Sequence, residues 1–264
     1  MGTKRVKDKM TELFLGKNAP VIDDRTITLK SILLKDLPPL PPKFSVWSSS
    51  ITPKPQMLGN DQYGDCVEVA ITNQQIVDEV NYGRIAIPVT TANVLAFYHK
   101  IAGPGDPGTN YLAAMNYWRQ YGLKVGVNQL CKKSSTQTYK IDAFASVNWQ
   151  NVTQVKQATM LLNGLQVGVQ LPQSAEDQYR SGLPWTIVSS SPIIGGHGLF
   201  FGSWDDVAQM FECITWGKRQ LVAYDWFAKY PDEAYASVDD INEKQSVINK
   251  PALEAILKEI TGGK

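Results

Sequence analysis

Residues 59–70 read GNDQYGDCVEVA, a polar, turn-forming run that ends on a cysteine and passes directly into an apolar segment. Asp65 and Glu68 have the spacing of a capping box, in which each carboxylate accepts a hydrogen bond from the backbone amide of the other residue. Apolar residues then recur at helical spacing to about residue 81. This pattern predicts a helix that begins at Cys66, with the thiol in its first turn.

A thiol in the first turn of a helix lies near unpaired amides and the positive end of the helix dipole, which favour the thiolate. The two capping carboxylates act against this, so a cationic partner such as imidazolium is needed. The chain has only two histidines. His99 lies in an ordinary amphipathic context, whereas His197 follows two glycines and precedes an apolar run, in GGHGLFFG. We therefore take His197 as the candidate partner, with a structural histidine as the alternative.

Helical patterns fill the first part of the chain, and strand patterns follow them. Residues 111–121 and 152–163 show helical spacing, while residues 166–171, 198–202 and 211–216 alternate or form short apolar runs. This order predicts an α+β fold in which helices and strands form separate layers.

The chain divides into an arm, a body and an extension. Residues 1–36 are expected to be an N-terminal arm with a short amphipathic segment at 10–15 and a strand-like stretch at 26–29. The proline-rich residues 37–42 then predict a stiff, extended connector rather than a ligand for an SH3 domain. The body spans residues 37–240.

Residues 241–264 are expected to form a C-terminal helical extension. Pro251 stands at a suitable first helical position, and four large apolar residues follow on one face: Leu253, Ile256, Leu257 and Ile260. That face should pack on the body or on another subunit, because large apolar groups are costly to leave in water.

Composition excludes several classes of function. The net charge is +1 with charges interspersed, so the chain lacks the basic stripe that binds nucleic acid or an anionic membrane. Three cysteines without a C-x-x-C pair indicate neither a disulfide framework nor a zinc site. No stretch has the length of a signal-peptide core or a membrane span. We expect a cytoplasmic or virion-associated protein without cofactor, metal, nucleic-acid or membrane partner.

Several stretches resemble the papain-like cysteine peptidases and follow one another in that family's order. They are residues 44–66, a glycine-rich loop at 102–108, residues 111–123, residues 178–183, Gly196-His197-Gly198, and residues 214–217. The resemblance covers roughly residues 37–240. His197 lies 131 residues after Cys66, within the spacing typical of such enzymes.

The resemblance implies a two-lobed fold, with a helical left lobe and an antiparallel, β-barrel-like right lobe. Cys66 as nucleophile and His197 as general base would face each other across the cleft. Asn60 stands where the family keeps the glutamine whose amide donates to the oxyanion, with Gln62 as the fallback donor. The glycine-rich loop resembles the segment that binds the substrate backbone.

One departure from the family pattern concerns the histidine. Ile214 stands where the asparagine that orients the ring is expected, so Ile214→Asn is expected to raise the rate. Thr215 is the candidate orienting group in its place, and Glu212 lies on the same strand face as Ile214. Trp216 matches the aromatic residue that shields the orienting bond.

The leading hypothesis is a peptidase that cleaves a peptide or protein through a thioester on Cys66, which should be the most reactive thiol. A second hypothesis transfers the acyl group to an amine, as transglutaminase-like relatives do. A third is a catalytically weak or inactive pseudo-peptidase that serves as a binding or structural part of an assembly such as a phage particle. The arm or the C-terminal helix would then contact the partner. The resemblance implies a bacterial or bacteriophage origin and no inhibitory prosegment of ordinary length.

Overall fold

The computed structural model describes residues 13–47, 54–82, 87–128, 134–239 and 247–260. Its helices are α1 (Leu29–Ile32), α2 (Cys66–Asn81), α3 (Thr91–Ala102), α4 (Tyr111–Gln120), α5 (Val152–Leu161), α6 (Gln173–Arg180), α7 (Tyr224–Lys229) and α8 (Lys250–Ile260). Its strands are β1 (Lys43–Ser45), β2 (Leu123–Asn128), β3 (Ser134–Tyr139), β4 (Ala143–Ser146), β5 (Leu165–Pro172), β6 (Ile193–Asp205), β7 (Met210–Thr215), β8 (Lys218–Ala223) and β9 (Pro231–Val238). The α+β class expected from the sequence is confirmed.

Two hydrophobic cores divide the molecule into a helical lobe and a sheet lobe. The helical lobe packs α2, α3 and α4 with the β2–β3 hairpin around buried residues that include Trp118 and Met115. The sheet lobe packs β4 to β9 with α5, α6 and α7 around Trp185, Trp226 and Leu199. The two-lobed architecture predicted from the resemblance is therefore present.

The main sheet is antiparallel throughout, with strand order β4-β9-β5-β6-β7-β8 and with β1 added to the far end of β6. Strand β6 is its centre, because it pairs with β5, β7 and β1. Helix α2 lies against β6 through a small apolar cluster that contains Ala70, Val77 and Phe200. This contact brings the beginning of α2 beside the first half of β6.

The N-terminal arm differs from its prediction. Residues 13–15 form no helix, and the remainder of the amphipathic segment expected at 10–15 lies outside the described residues. The strand expected at residues 26–29 is wrong as well, since only Thr28 forms a β-bridge, to Ser146, and α1 begins at Leu29. The arm nonetheless packs on the body, because Leu29 and Ile32 are fully buried in the core of the sheet lobe.

The C-terminal helix packs on the same region as the arm. Leu253 is only 2% exposed, and Ile256 and Leu257 are partly buried against the core. The backbone amide of Asn249 donates to the carbonyl of Ile32, which ties the start of α8 to the end of α1. The expectation that the helix packs on the body is confirmed for these three side chains. Docking of a partner protein on the helix or the arm stays a prediction.

No helix in the described ranges combines the length and apolar character that crossing a membrane requires.

Candidate active site

Cys66 is the first residue of α2, as the sequence predicts, and its side chain is buried between the lobes. Its Sγ accepts a hydrogen bond of 3.3 Å from the backbone amide of Gly198, the residue directly after His197. The thiol at the helix start and the histidine on β6 are thus neighbours across the interface of the two lobes. That the thiol and the imidazole face each other stays a prediction, because the contact seen here is between the thiol and the backbone of Gly198.

The capping box is wrong. The Asp65 side chain makes no capping bond. Glu68 does not bond back to the helix start. Its Oε1 instead accepts a hydrogen bond of 2.8 Å from Thr109 Oγ1. Burial raises the pKa of Asp65 to about 8, with a further rise from Glu68, and burial also raises the pKa of Glu68 to about 8. Both carboxyl groups are therefore largely protonated at pH 7 and oppose the thiolate less than two anions would.

The raised pKa of Glu68 gives a testable pH dependence. Because the native state holds this proton more tightly than an ordinary glutamate at 4.5, the contribution of Glu68 to stability is complete below pH 4.5 and is lost as the pH rises through 8. Glu68→Gln keeps an acceptor for Thr109 but cannot ionise. We expect the variant to melt higher than the wild type at about pH 9 and to lose this advantage near pH 5, since each pKa unit is worth about 1.4 kcal/mol.

Thermal melts of both proteins between pH 5 and 9 make the measurement. Glu254→Gln, on an exposed position of α8, is the matched control and should follow the wild type throughout. Parallel melting curves for wild type and Glu68→Gln across this range would show that Glu68 titrates as an ordinary surface carboxylate.

His197 lies four residues inside β6 rather than at its start, and it is buried. Its Nε2 is 2.7 Å from Thr215 Oγ1, and its ring stacks on Trp216 with centroids 4.4 Å apart. Among the described residues, Nδ1 has no hydrogen-bond partner. Burial lowers the pKa of His197 to about 3, so the ring is neutral. Thr215 can therefore orient one nitrogen and leave the other available as a base.

Ile214 does not occupy the orienting position. It packs on the other side of β7, in the apolar cluster with Trp47 and Phe200. Glu212 is also engaged elsewhere, because its Oε2 accepts a hydrogen bond of 2.7 Å from the indole of Trp47. An asparagine at 214 would bury its amide in an apolar cluster on the strand face opposite Thr215. The gain in rate expected from Ile214→Asn therefore has no basis in this geometry.

Asn60 lies at the lobe interface, but its side-chain amide is already used. Its Nδ2 donates to the carbonyls of Phe14 and Tyr63 at 3.2 and 3.1 Å. Gln62, the fallback donor, is exposed. A role for Asn60 in binding an oxyanion stays a prediction and requires that Phe14 first leave.

Residues 14–18 of the arm, which we call the cleft segment, run between the two lobes beside Cys66. On the helical side, the Phe14 amide donates to the Asn60 carbonyl, and Thr109 binds the Gly16 carbonyl and the Asn18 amide. On the sheet side, the Lys17 amide donates to the Gly196 carbonyl at 3.2 Å, and the Trp216 indole donates to the Phe14 carbonyl. The cleft segment is thus held by backbone bonds on both sides of the cleft.

Glycines make this close approach possible. A Cβ on Gly16 would lie 1.8 Å from the carbonyl oxygen of Gly64. A Cβ on Gly108 would lie 2.1 Å from the Gly16 oxygen, and one on Gly196 would lie 2.1 Å from the Lys17 oxygen. Contacts this short exclude any side chain at these positions. The glycine before His197 and the end of the glycine-rich loop therefore form the walls that receive an extended backbone.

With the cleft segment in place, the Cys66 thiol is buried and remains neutral. Burial raises the pKa of the Cys66 thiol to about 12, and the backbone amides of Gly198 and Gly16 offset only part of this rise. A neutral thiol beside a neutral imidazole is not the reactive ion pair. The expectation that Cys66 is the most reactive thiol stays a prediction, because both Cys66 and Cys213 are buried and burial raises the pKa of each. Cys131 lies outside the described residues.

Sequence reasoning missed several residues of the site. The partner of Glu68 is Thr109, and the cleft segment places Lys17 against Asp232 and Glu233. The sequence points to the cleft segment only indirectly. The glycine-rich loop at 102–108 was expected to bind a peptide backbone, and Thr109, the residue after it, binds the backbone of the cleft segment. Asp232 and Glu233 are adjacent acidic residues, and nothing in the sequence around them indicates that their partner is Lys17.

Comparisons with known proteins agree with this architecture. No family model matches the sequence, and no curated protein sequence matches it. The crystal structure of xylellain, a cysteine protease from Xylella fastidiosa, is similar with a TM-score of 0.68 and 16% identity, covering 89% of this chain and 99% of that one. Digestive procathepsin L 3 of Tenebrio molitor matches with a TM-score of 0.58 and 14% identity, covering 86% and 76%.

A cysteine protease from Carica candamarcensis, CMS1MS2, in complex with E-64, is also similar, with a TM-score of 0.55 and 11% identity over 75% of this chain and 99% of that one. These identities are too low to transfer an activity. The structural matches themselves show that the chain has the papain-like fold.

Proposed function

We propose that this chain, which has the papain-like fold, is a cysteine peptidase that stays latent while the cleft segment occupies its active site. The observation that carries the proposal is the arrangement at the lobe interface. Cys66 begins a helix beside the amide of Gly198, and His197 is fixed through Nε2 by Thr215, while Nδ1 has no partner among the described residues. A nucleophile and an oriented base at a cleft are the minimum for covalent acyl transfer.

The proposed reaction uses these groups in turn. With Nε2–H donated to Thr215, Nδ1 of His197 accepts the proton of Cys66, and the thiolate attacks the substrate carbonyl carbon. The oxyanion is bound by the Cys66 backbone amide and by Asn60 once its amide is released. The C–N bond breaks as His197 returns the proton to the leaving amine. Water, deprotonated by His197, then cleaves the thioester and restores the thiol.

In this proposal the cleft segment is an occupant that blocks the active site. The Gly16 carbonyl oxygen accepts a hydrogen bond of 2.9 Å from the backbone amide of Thr109, and the Lys17 amide donates to the Gly196 carbonyl at 3.2 Å. A segment bound in this way can remain intact beside the nucleophile.

A binding or structural protein is the second candidate. The full engagement of the Asn60 amide and the burial of both Cys66 and His197 favour it, because no part of the machinery is then accessible. In that case the cleft would serve only to hold residues 14–18 and so to fasten the arm to the body.

Peptide cleavage by a variant with a displaced cleft segment separates the two candidates. Gly16→Ala introduces a methyl group 1.8 Å from the Gly64 oxygen, so the segment must shift away. We expect Gly16→Ala to release products from a diverse peptide library and Gly16→Ala/Cys66→Ala to release none. Adding a primary amine distinguishes hydrolysis from acyl transfer. A folded Gly16→Ala protein without products would favour the binding protein.

A further inference from the structure

Lys17 of the cleft segment sends its side chain into a closed pocket of the sheet lobe. The side chain is 0% exposed, and its Nζ lies 2.9 Å from Asp232 Oδ1 and 3.0 Å from Glu233 Oε1. Nζ also donates to the carbonyl of Asn18 at 3.1 Å. All the ammonium hydrogens thus have acceptors nearby, as a buried ammonium requires.

The pocket is shaped for a narrow, unbranched chain. Its wall includes Gly168 of β5, where a Cβ would lie 2.0 Å from Lys17 Cε and 2.7 Å from Glu233 Cγ. Gln170, two residues further along the same face of β5, donates to Asp232 Oδ2 at 2.6 Å. Gly168 therefore opens the channel, and Gln170 fixes the carboxylate at its end.

The charge of the pocket demands a cation. Asp232 and Glu233 are adjacent at the beginning of β9. Among the described residues, Lys17 forms an ion pair with each of them. If the cleft segment leaves, two neighbouring carboxyl groups remain in a largely buried site without a counter-charge from the part of the chain that the structure describes. Breaking a buried ion pair by removing one partner is strongly unfavourable. An incoming basic side chain would remove this penalty.

The pocket adjoins the catalytic groups. The Lys17 amide donates to the carbonyl of Gly196, the residue before His197, and the amide of Gly198, the residue after His197, donates to the Cys66 sulfur. A peptide that places a basic side chain in this pocket would therefore present a neighbouring peptide bond to the thiol.

On the basis of the proposed peptidase function, we propose that the pocket of Gly168, Gln170, Asp232 and Glu233 selects substrates with a lysine side chain beside the cleaved bond. Lysine fits better than arginine because the channel past Gly168 is narrow, and the compact ammonium meets its acceptors on both carboxylates and one carbonyl. An uncharged chain of the same length would leave buried carboxylates unpaired.

Peptide cleavage provides the first test. Gly16→Ala is assayed with a library in which lysine, arginine or norleucine is fixed at each position in turn. We expect kcat/KM with lysine at one position near the cleaved bond to exceed that with norleucine at least about 100-fold, the scale on which unpaired buried polar groups discriminate. Asp232→Asn/Glu233→Gln in the same background should reduce this ratio to near one. Glu254→Gln, on the exposed surface of α8, should preserve it.

Binding provides a second test that does not depend on turnover. Calorimetry on Gly16→Ala/Cys66→Ala compares a peptide of residues 13–18 with the same peptide carrying norleucine for Lys17. We expect the lysine peptide to bind at least about tenfold more tightly, and Gly168→Ala to abolish the difference by closing the channel. Lysine preference in binding without any turnover would overturn the peptidase function and keep the pocket. Turnover or binding without lysine preference would overturn the pocket proposal alone.

Discussion

Replacing Gly16 with alanine is expected to speed the alkylation of Cys66 by iodoacetamide about 100-fold at pH 7.5. In the covered site the thiol pKa is raised to about 12 by burial. A thiol near the ordinary pKa of about 8.5 is more than about a thousandfold more ionised at this pH, and the lower nucleophilicity of its thiolate cancels only part of that gain. Displacing the segment also opens the path to the sulfur.

The comparison needs a glycine replacement that disturbs nothing. Gly126→Ala in β2 is suitable, because a Cβ there meets no atom within 4 Å. Mapping of the alkylated peptides assigns the label to Cys66, Cys131 or Cys213. Equal labelling of Cys66 in wild type, Gly16→Ala and Gly126→Ala, with all three folded, would show that the cleft segment does not cover the thiol in solution.

In the Gly16→Ala background, His197→Gln is expected to lower kcat/KM about 1000-fold, in the range that general-base catalysis supplies. The neutral glutamine amide cannot take the thiol proton. Thr215→Val removes only the group on Nε2 and should cost about tenfold, which corresponds to about 1.4 kcal/mol in the barrier. Nucleophile and base both remain in that variant, so activity should fall without disappearing.

Thr215→Ser is the matched control for Thr215→Val, since it keeps the hydroxyl at 2.7 Å from His197 and removes only a methyl group. The serine variant should retain most of the activity and the pH profile of its parent, whereas the valine variant should shift the profile of kcat/KM. A loss of activity in the serine variant together with full activity in the valine variant would mean that the packing of the methyl group matters, and not the hydrogen bond to the ring.

Local sequence patterns predicted the elements that carry the two central residues. The polar turn followed by helical periodicity places Cys66 at the start of α2, and the glycines before an apolar run place His197 on a strand that accepts a close backbone. Both signals are local, because helix starts and close backbone approaches depend on a few adjacent residues.

Tertiary contacts determine the side-chain partners in the site, which the local sequence patterns could not predict. Glu68 has the sequence position of a capping residue, but its carboxyl group accepts a hydrogen bond from Thr109, 41 residues away. Similarly, Ile214 and Thr215 differ by one position, and only the pairing of β7 with β6 determines that Thr215 faces the ring. The cleft segment binds residues far away in the chain, so its short sequence could not reveal its place.

Mass spectrometry of a trapped acyl-enzyme tests whether Cys66 is the nucleophile of a peptidase. Gly16→Ala is mixed with a reactive peptide ester, quenched in acid within the first turnover, digested and analysed for acylated residues. We expect a thioester adduct on Cys66 that is absent from Gly16→Ala/Cys66→Ala. A folded Gly16→Ala protein with no adduct, or with its adduct on another residue, would contradict the assignment of Cys66 as the nucleophile of a latent peptidase.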